Sequence, residues 1–514
     1  MVNYPCNGRH MKNTVTFTTE KGNIFLYSPF RNQFLLCHPL IRHFFQLEKK
    51  GMNLSDHLNQ IRLKGKLELK DFGVFKFEEV RYQLSKYHFL QKNDFFTPVK
   101  HLNLGGILSP NRIEENMSKL QQIIFETTEE CNLSCTYCTY SKFYINPERG
   151  KQKMNPEDAH RMLDLILSKR DPLKNKELTV SFYGGEPLKN FGLVSGVISH
   201  LHAYPKPKPN FRFTMSSNGL LLSKYMDYLA ENHVEVAVSL DGNEQENTFR
   251  VLKNNKPSFE IVIKNLEKVK KKYPDYFDKC ISFLTVLHSK NSYKSVYSFF
   301  IKKFKKTPIV SSIATFNINK EFKSEFISTF LKGKIMKSSD LKTMRRMMFH
   351  HPRVKEIADT LEKYSGYVFT THGQLILLRK RNVSKKNIIP TGTCLPFSLR
   401  ILLTADGIIL PCEHISRIFE IGRLDRDGVR IDYDSIALMY NRYYSKIRPL
   451  CEQCYMEDHC LECMFNTKIE TESPECDFFT DEAHFTHRLS KNLSLIEKAP
   501  PLYLQIIKEA FHDA

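Results

Sequence analysis

The chain has 514 residues, a length that predicts about two to four domains. Its apolar fraction of 41% and charged fraction of 26% are typical of a soluble globular protein, and no apolar run is long enough to span a membrane. The formal net charge of +20 indicates an acidic partner. Because the sequence has neither a signal peptide nor an RNA-binding signature, we expect a cytoplasmic protein that binds neither membrane nor nucleic acid.

The N-terminal region, residues 1–108, is predicted to be a small α+β module. Its predicted elements, in chain order, are strands at 15–18, 23–27 and 33–37 and helices at 39–50 and 78–88. The pair Phe89-Leu90 is expected to be extended, and residues 98–106 are expected to form a linker. No residue in this module carries catalytic chemistry, so a structural cap is the simplest interpretation.

The next region, residues 109–330, alternates strands with helices, which predicts a parallel sheet. Its strands are expected at 122–126, 178–183, 210–215, 234–240 and 281–286, and its helices at 155–167, 220–231 and 259–272. In such sheets ligands bind beyond the carboxyl ends of the strands. Four motifs fall there, beginning at Cys131, Gly184, Asn218 and Asp241, and this succession is typical of a barrel-type active site.

The remaining chain is less regular. Residues 331–388 are polar and contain a helix candidate at 354–363, residues 389–480 are rich in cysteine and loop-like, and residues 481–514 are expected to form a helical tail. Thirteen cysteines in a cytosolic chain favour metal or redox chemistry over disulfides.

Three of these cysteines, Cys131, Cys135 and Cys138, have C-x3-C-x2-C spacing. A structural zinc site normally has four protein ligands. Three thiolates instead fit a [4Fe–4S] cluster whose fourth iron stays open to another ligand.

With its flanking motifs, this loop resembles the radical S-adenosylmethionine (SAM) superfamily, specifically its SPASM-containing members that modify ribosomally made peptides. The resemblance spans about residues 120–480. It implies an α/β fold, a partial (β/α)6 TIM-like barrel, with an N-terminal winged-helix-like module and a C-terminal cysteine-rich SPASM domain. It also implies that the cluster on Cys131, Cys135 and Cys138 binds SAM.

The resemblance places the adenine beside Tyr137, the amino group of SAM at the Gly-Gly-Glu-Pro segment, and its carboxylate at Ser239 and Arg250. The residues that it assigns to SAM binding are Tyr137, Gly184, Gly185, Glu186, Pro187, Ser216, Asn218, Ser239, Asp241 and Arg250. For the segments at 216–219 and 239–250, ordinary strand-to-helix turns remain the alternative. No catalytic residue is assigned beyond the cluster and SAM sites.

Seven downstream cysteines resemble the SPASM pattern, in which Gly407 and Cys412 match Gly-x4-Cys. The resemblance implies two auxiliary [4Fe–4S] clusters, one held by Cys451, Cys454, Cys460 and Cys476 and the other by Cys394, Cys412 and Cys463. The second set is one thiolate short, so a residue such as His372 or a substrate thiol would complete it. A zinc ribbon is the alternative, because C-x2-C pairs also bind zinc.

The resemblance divides the chain into five segments. They are a leader-peptide-binding module of the RiPP recognition element type (1–108), a radical SAM core (109–330), a bridging region (331–388), a SPASM domain (389–480) and a helical tail (481–514). The module is expected to bind the leader by adding it as a strand to an exposed sheet edge.

The implied function is the modification of a ribosomally made precursor peptide, forming a thioether or another crosslink after a 5′-deoxyadenosyl radical takes a hydrogen atom. The implied partners are a precursor peptide with a leader and an electron donor such as flavodoxin or ferredoxin. One alternative is an anaerobic sulfatase-maturing enzyme that generates formylglycine, and the other is a non-catalytic metal- or RNA-binding protein.

Overall fold

The computed structural model describes residues 12–31, 33–98, 107–145, 150–170, 176–315, 318–331, 391–456, 460, 462–469 and 474–500. The chain forms two compact units. The first comprises Met1–Gly106, Met344–Gly392 and Tyr444–Ala514, and the second comprises Ile107–Thr343 and Thr393–Tyr443. Within the described ranges, no helix has the length and apolar character needed to cross a membrane.

The N-terminal part of the first unit is a three-stranded antiparallel sheet followed by helices and a hairpin. Its elements are β1 (Val15–Thr18), β2 (Ile24–Ser28), β3 (Gln33–Leu36), α1 (Pro39–Lys49), α2 (Leu54–Lys64), β4 (Lys66–Leu69), β5 (Gly73–Lys76) and α3 (Phe77–Lys92). The sheet order is β1-β2-β3, and β4 pairs with β5. The three predicted strands and α1 are confirmed, whereas α2 and the hairpin were not predicted.

The prediction of an extended Phe89-Leu90 pair is wrong, because both residues belong to α3. The buried positions Val80, Leu84 and Tyr87 follow the helical period. Leu90 continues that stripe and packs against the same core. The helix therefore continues past Leu90, whose side chain contacts the core, and ends at Lys92.

The second unit is built on one ten-stranded sheet. Its strands are β6 (Gln122–Thr128), β7 (Glu177–Gly184), β8 (Asn210–Ser217), β9 (Glu235–Ser239), β10 (Ile281–Leu287), β11 (Ile309–Ser312), β12 (Arg400–Leu403), β13 (Ile408–Leu410), β14 (Gly422–Asp425) and β15 (Gly428–Arg430). Strands β6 to β11 are parallel, and each lies beside its neighbour in chain order. This is the predicted arrangement of a partial (β/α)6 barrel, which the structure confirms.

Helix α4 (Pro110–Met117) precedes β6. The helices that follow the parallel strands are α5 (Pro156–Lys169), α6 (Phe191–Ala203), α7 (Leu222–Glu231), α8 (Phe259–Lys272), α9 (Pro274–Cys280), α10 (Tyr293–Phe304) and α11 (Lys323–Phe326). Helix α12 (Tyr433–Gln453) begins in this unit after β15. The five predicted strands and three predicted helices of this region are confirmed. Helix α6 was missed because Gly192 and Gly196 lower its helix propensity, yet its residues Val194, Val197 and Ile198 are fully buried.

The prediction that residues 389–480 are loop-like is wrong for much of that segment. Strand β12 pairs in parallel with β6, and β13 to β15 extend the sheet as antiparallel strands. Ile124 of β6 and Leu402 of β12 share a buried cluster with Ile408 and Leu410. The burial of these side chains stabilises the extended sheet. Strands β13 and β14, which precede and follow Cys412, therefore belong to the same sheet as the parallel strands.

The C-terminal helix α13 (Glu482–Lys498) belongs to the first unit and covers β1. Its residues Phe485, Leu489 and Leu493 are buried against Val15 and Phe17. Hydroxyl groups of the helix also bond to β1 and the turn after it: Ser490 Oγ donates to Thr18 O over 2.5 Å, and Ser494 Oγ accepts from Glu20 N over 2.9 Å.

The predicted helical tail is therefore confirmed over 482–498. Four other features of the sequence lie outside the described residues: most of the linker at 98–106, the helix candidate at 354–363, His372 and the end of the tail at 501–514. Nothing in the structure tests the predicted domain boundaries, which stay predictions.

We predict that Gly407→Ala lowers the thermal unfolding midpoint of the protein more than Gly428→Ala. Both glycines have positive φ angles, +84° and +131°, which cost an alanine about 1–2 kcal/mol. At Gly407 an added Cβ would also lie 2.2 Å from Leu424 O, whereas at Gly428 it would meet nothing within 4 Å. Equal midpoints for the two variants would contradict this account of the β12–β13 turn.

Candidate active site

The cysteine loop follows β6 and is anchored by backbone hydrogen bonds to the segment after β9. Ser134 N donates to Val251 O over 2.8 Å, and Thr136 N donates to Phe249 O over 2.9 Å. These two bonds lie on either side of Cys135. The loop is therefore anchored at its centre as well as at the strand from which it leaves.

The three thiols of the loop lie close together. Burial raises the pKa of Cys135 to about 12, and the nearby Cys138 and Cys131 thiols act in the same direction. Among the described residues, no group of three or more His, Cys, Asp or Glu side chains is arranged to hold a single metal ion. An iron–sulfur cluster differs from a single ion in this respect, because each thiolate binds a different iron.

The end of β7 presses against the backbone that leads into the loop. Gly185 N donates to Thr128 O over 2.7 Å, and Glu186 N donates to Glu130 O over 2.9 Å. A Cβ at Gly184 would lie 2.4 Å from Thr128 O, and one at Gly185 would lie 2.1 Å from Glu130 O. Only glycine permits this approach.

The Glu186 side chain joins the end of β7 to the end of β8. Its carboxylate is fully buried and accepts hydrogen bonds from Ser217 Oγ (2.9 Å) and Asn218 N (2.8 Å). A further bond comes from Leu188 N (3.2 Å), next to Pro187, the buried first residue of a short 3-10 helix. Burial raises the pKa of Glu186, and these hydrogen bonds oppose that shift. The carboxylate is thus engaged inside the protein, where it orients Asn218.

Asn218 connects β8 to the first cysteine. Its amide nitrogen lies 2.7 Å from Asn132 Oδ1 and 3.6 Å from Cys131 Sγ. Its amide oxygen accepts from Leu220 N over 3.0 Å and so closes the turn. A donor is therefore directed at the sulfur of a predicted cluster ligand.

Asp241, after β9, is the centre of a buried network. Arg250 donates to it through Nη2 (3.1 Å to Oδ1), and Val286 N donates to the same oxygen over 3.0 Å. Tyr137 Oη donates to Oδ2, and His288 Nε2 lies 3.7 Å from that atom. Burial would raise the pKa of Asp241, but Arg250, His288 and Tyr137 outweigh it and lower that pKa.

Arg250 is held between Asp241 and Tyr137. Its guanidinium carbon lies 5.4 Å from the centre of the Tyr137 ring. Its Nε lies 3.0 Å from Asp241 Oδ2 but without hydrogen-bonding geometry, so a buried donor is left without a hydrogen bond among the described groups. A guanidinium has five N–H donors. The Asp241 ion pair therefore leaves donors of Arg250 for an anionic ligand.

Ser216 and Ser239 are half-buried near the carboxyl ends of β8 and β9. Side chains alternate along a strand, so Ser216 lies on the same face of the sheet as Thr214. Thr214 Oγ1 lies 2.6 Å from Ser181 Oγ of β7, which gives this face a polar lining. The opposite face buries apolar side chains such as Phe213 and Met215.

Sequence analysis missed three aromatic side chains of this network: His288, Phe249 and Phe330. The ring centres of Phe249 and His288 are 4.8 Å apart, and those of Phe249 and Phe330 are 5.0 Å apart. His288 directly follows β10, the same strand-end position as the four predicted motifs, and that signal could have identified it. Phe330 had no such signal, because it lies in the irregular segment after β11.

A second missed group ties the segment after Cys412 to the end of β6. Arg417 pairs with Asp406 (2.8 Å), Glu129 (3.1 Å) and Glu126 (3.3 Å). Burial raises the pKa of Glu126, while the Ala405 N–H and Arg417 lower it. One cation therefore neutralises part of a carboxylate cluster at the edge of the site.

The predicted auxiliary cysteines are divided between the two units. Cys394 and Cys412 belong to the second unit, and Cys451, Cys454, Cys460, Cys463 and Cys476 belong to the first. Burial raises the pKa of Cys476, and the Cys460 and Cys454 thiols contribute to that rise. Three members of the predicted four-cysteine set are therefore neighbours. Cys37, which belongs to none of the predicted clusters, is buried in the core of the N-terminal module.

Comparison with known proteins agrees with this geometry. Residues 125–295 match the model of the Radical SAM superfamily. The chain is 30% identical over 170 residues to a radical SAM cyclopropyl synthase, TigE, of Paramaledivibacter caminithermalis, covering 31% of this chain and 34% of the relative. It is 27% identical over 195 residues to a cysteine-type anaerobic sulfatase-maturating enzyme of Clostridium novyi, covering 36% of this chain and 49% of the relative.

The chain thus spans only a third to a half of the length of these relatives. A solved structure, native anSMEcpe with bound AdoMet, has a similar fold, with a TM-score of 0.50 and 18% identity. That match covers 77% of this chain and all of the other. The chain therefore contains a radical SAM domain, the domain of a superfamily of enzymes that use a [4Fe–4S] cluster and S-adenosylmethionine.

Proposed function

We propose that this protein is a radical SAM enzyme that modifies a ribosomally made precursor peptide, introducing a thioether or another crosslink. The observation that carries the proposal is the cysteine loop. Its three thiols lie on one short segment that is contacted by the end of β7, by Asn218 after β8 and by Val251 after β9. A cluster on these thiols would lie at the carboxyl ends of parallel strands, where such sheets bind ligands.

The residues present fit the cofactors of the superfamily. Cys131, Cys135 and Cys138 would hold the cluster, and Gly184 and Gly185 let the end of β7 pack against the backbone that leads into these cysteines. The unused donors of Arg250 suit the SAM carboxylate, with Ser239 beside it. When bound, the cluster and SAM together supply a radical that removes hydrogen from an unactivated carbon.

Other residues position these contacts. Glu186, assigned to the SAM site by its motif, also positions Asn218, because its carboxylate accepts from Ser217 Oγ and Asn218 N. Asp241 fixes Arg250 and Tyr137, so that Tyr137 can flank the adenine. Ser216 and the polar face of β7 and β8 would line the space for the substrate.

The two auxiliary clusters are part of this proposal. Cys451, Cys454, Cys460 and Cys476 would hold one, supported by the proximity of three of those thiols. Cys394, Cys412 and Cys463 would hold the other, which leaves one ligand position for a substrate thiol. A thioether is the crosslink that such a position favours.

The N-terminal module would bind the leader of the precursor. At the β1 strand, Ser490 of α13 already donates to Thr18 O, and the helix packs against Val15 and Phe17. The edge at β3 carries Leu35 and Leu36, which are 37% and 68% exposed. An extended peptide can add to such an edge. The net charge of +20 favours an acidic leader.

The sulfatase-maturing alternative keeps one specific observation in its favour, the relative in Clostridium novyi. A formylglycine-generating enzyme acts on a folded protein's Cys or Ser and needs no leader-binding module. Leader binding by this chain would therefore favour the peptide-modifying proposal. The non-catalytic alternative is not retained, because the domain belongs to a superfamily of enzymes.

We predict that three sets of cysteine replacements each remove the iron of one cluster. The sets are Cys131/Cys135/Cys138→Ala, Cys394/Cys412/Cys463→Ala and Cys451/Cys454/Cys460/Cys476→Ala. Only the first should abolish formation of 5′-deoxyadenosine from SAM in anaerobically reconstituted protein. Iron content that is unaffected by the second and third sets would refute the auxiliary clusters and leave the radical SAM assignment intact.

We predict that Asn218→Ala lowers the reduction potential of the cluster on Cys131. A hydrogen bond to a ligand sulfur stabilises the more negative, reduced cluster, so its loss makes reduction harder. The measurement is a potentiometric titration followed by electron paramagnetic resonance. Asn265→Ala is the matched control, because the Asn265 amide anchors the same turn through Gly219 O and Leu220 O without contacting a cysteine. Equal potentials in both variants would contradict the role of Asn218.

We predict that Leu36→Asp weakens binding of the leader by about tenfold. The charge would face an apolar peptide side chain at the open edge of the sheet. Binding is measured by fluorescence anisotropy with the labelled leader of the precursor peptide. Leu63→Asp, at an 89% exposed position on α2 in the same module, should leave the affinity unchanged. A similar loss in both variants would exclude β3 as the binding edge.

A further inference from the structure

A lysine-bearing turn lies directly against the cysteine loop. Leu252 forms a β-bridge with Leu133, and the chain then reverses between Lys253 and Lys256. Leu252 N donates to Lys256 O over 2.8 Å, and Asn255 takes the left-handed conformation that closes the turn. The turn is therefore a compact hairpin tip whose base is bonded to the loop.

Both lysines of this turn are exposed, as is Ser134 of the loop. Lys253 and Lys256 form no ion pair with any residue that the structure describes. Lys153 and Lys189 flank them around Glu130, at 4.0 and 2.6 Å from its Oε2 atom. The charge of Lys253 also acts on Glu130, so three lysines surround one carboxylate on the solvent side of the cysteine loop, and Lys256 lies on the same turn as Lys253.

The position of this surface matters for electron transfer. Transfer rates fall steeply with distance, so a protein donor must dock where the loop reaches the solvent. Ser134 is exposed and adjacent to Cys135 in the chain, and it is bonded to the base of the lysine turn. Positive charge there would attract and orient a negatively charged donor.

The lysines at the carboxyl ends of α8 and α10 do not meet this requirement. In a parallel β/α arrangement these ends lie at the amino ends of the strands. The cysteine loop follows the carboxyl end of β6 and so lies at the opposite end of the strands. The lysine turn, in contrast, is bonded to the cysteine loop itself.

We propose that Ser134 and the Lys253–Lys256 turn, flanked by Lys153 and Lys189, form the docking surface for an acidic one-electron redox protein of the flavodoxin or ferredoxin class. The docked donor gives up one electron and is oxidised, and the cluster on Cys131, Cys135 and Cys138 is reduced by that electron. No bond forms or breaks in this step. The inference rests on the proposed radical SAM function and adds to it the place where the electron enters.

The test compares two double charge reversals. Lys253→Glu/Lys256→Glu alters the turn, and Lys268→Glu/Lys271→Glu makes the same change in net charge at exposed positions of α8. Binding of oxidised flavodoxin is measured calorimetrically at low and high salt, with and without the reconstituted cluster. The turn variant should bind about tenfold more weakly at low salt, and the α8 variant should bind as the unaltered protein does.

A second readout separates docking from chemistry. With dithionite, a small reductant that needs no docking, the turn variant should form 5′-deoxyadenosine as fast as the unaltered protein. With reduced flavodoxin its rate should fall by about tenfold. Unchanged flavodoxin affinity in the turn variant, or equal losses in both variants, would overturn the proposal. If no form of the protein cleaves SAM with dithionite, the proposed function fails, and the binding titration still decides the docking surface.

Discussion

A fully buried carboxylate, Asp241, holds the site together. Burying a charge costs free energy unless hydrogen bonds and an opposite charge compensate for it. Here Arg250 supplies the charge, and Tyr137, Val286 and His288 surround the remaining lone pairs. Because Tyr137 lies between two cysteines, satisfying Asp241 also fixes the conformation of the cysteine loop. The cost of burying one carboxylate is thus offset by a network that organises the site.

Position along the sheet made much of this site predictable. Cys131, Gly184, Asn218 and Asp241 each follow a strand, and parallel strands bring their carboxyl ends together. The role of each residue within the site was harder to predict from the sequence. Glu186 lies in a motif associated with the cofactor, but its oxygens bond to Ser217 and Asn218. Only the three-dimensional positions of the donors show that Glu186 also orients another residue.

The fold was predictable where local pattern and tertiary packing agree. The strands and helices between 122 and 286 have clear periodicity, and most were predicted. Strand β12 is different, because its partner β6 lies far away in sequence and no local signal specifies that pairing. Its buried contact with Ile124 is what places the segment around Cys412 beside the radical SAM domain's strands. The cysteine pattern identified the segment but not its attachment to the sheet.

The excess of positive charge has no single structural explanation. On the outer helices, lysines pair with carboxylates, as Lys272 does with Asp227 over 2.8 Å, and such exposed pairs contribute little stability. These lysines simply keep the outer faces of the helices solvated. Lys253 and Lys256 are equally exposed, but they lie on a turn bonded to the cysteine loop. Their electrostatic effect is therefore exerted where a cluster would accept an electron, which net charge alone could not have indicated.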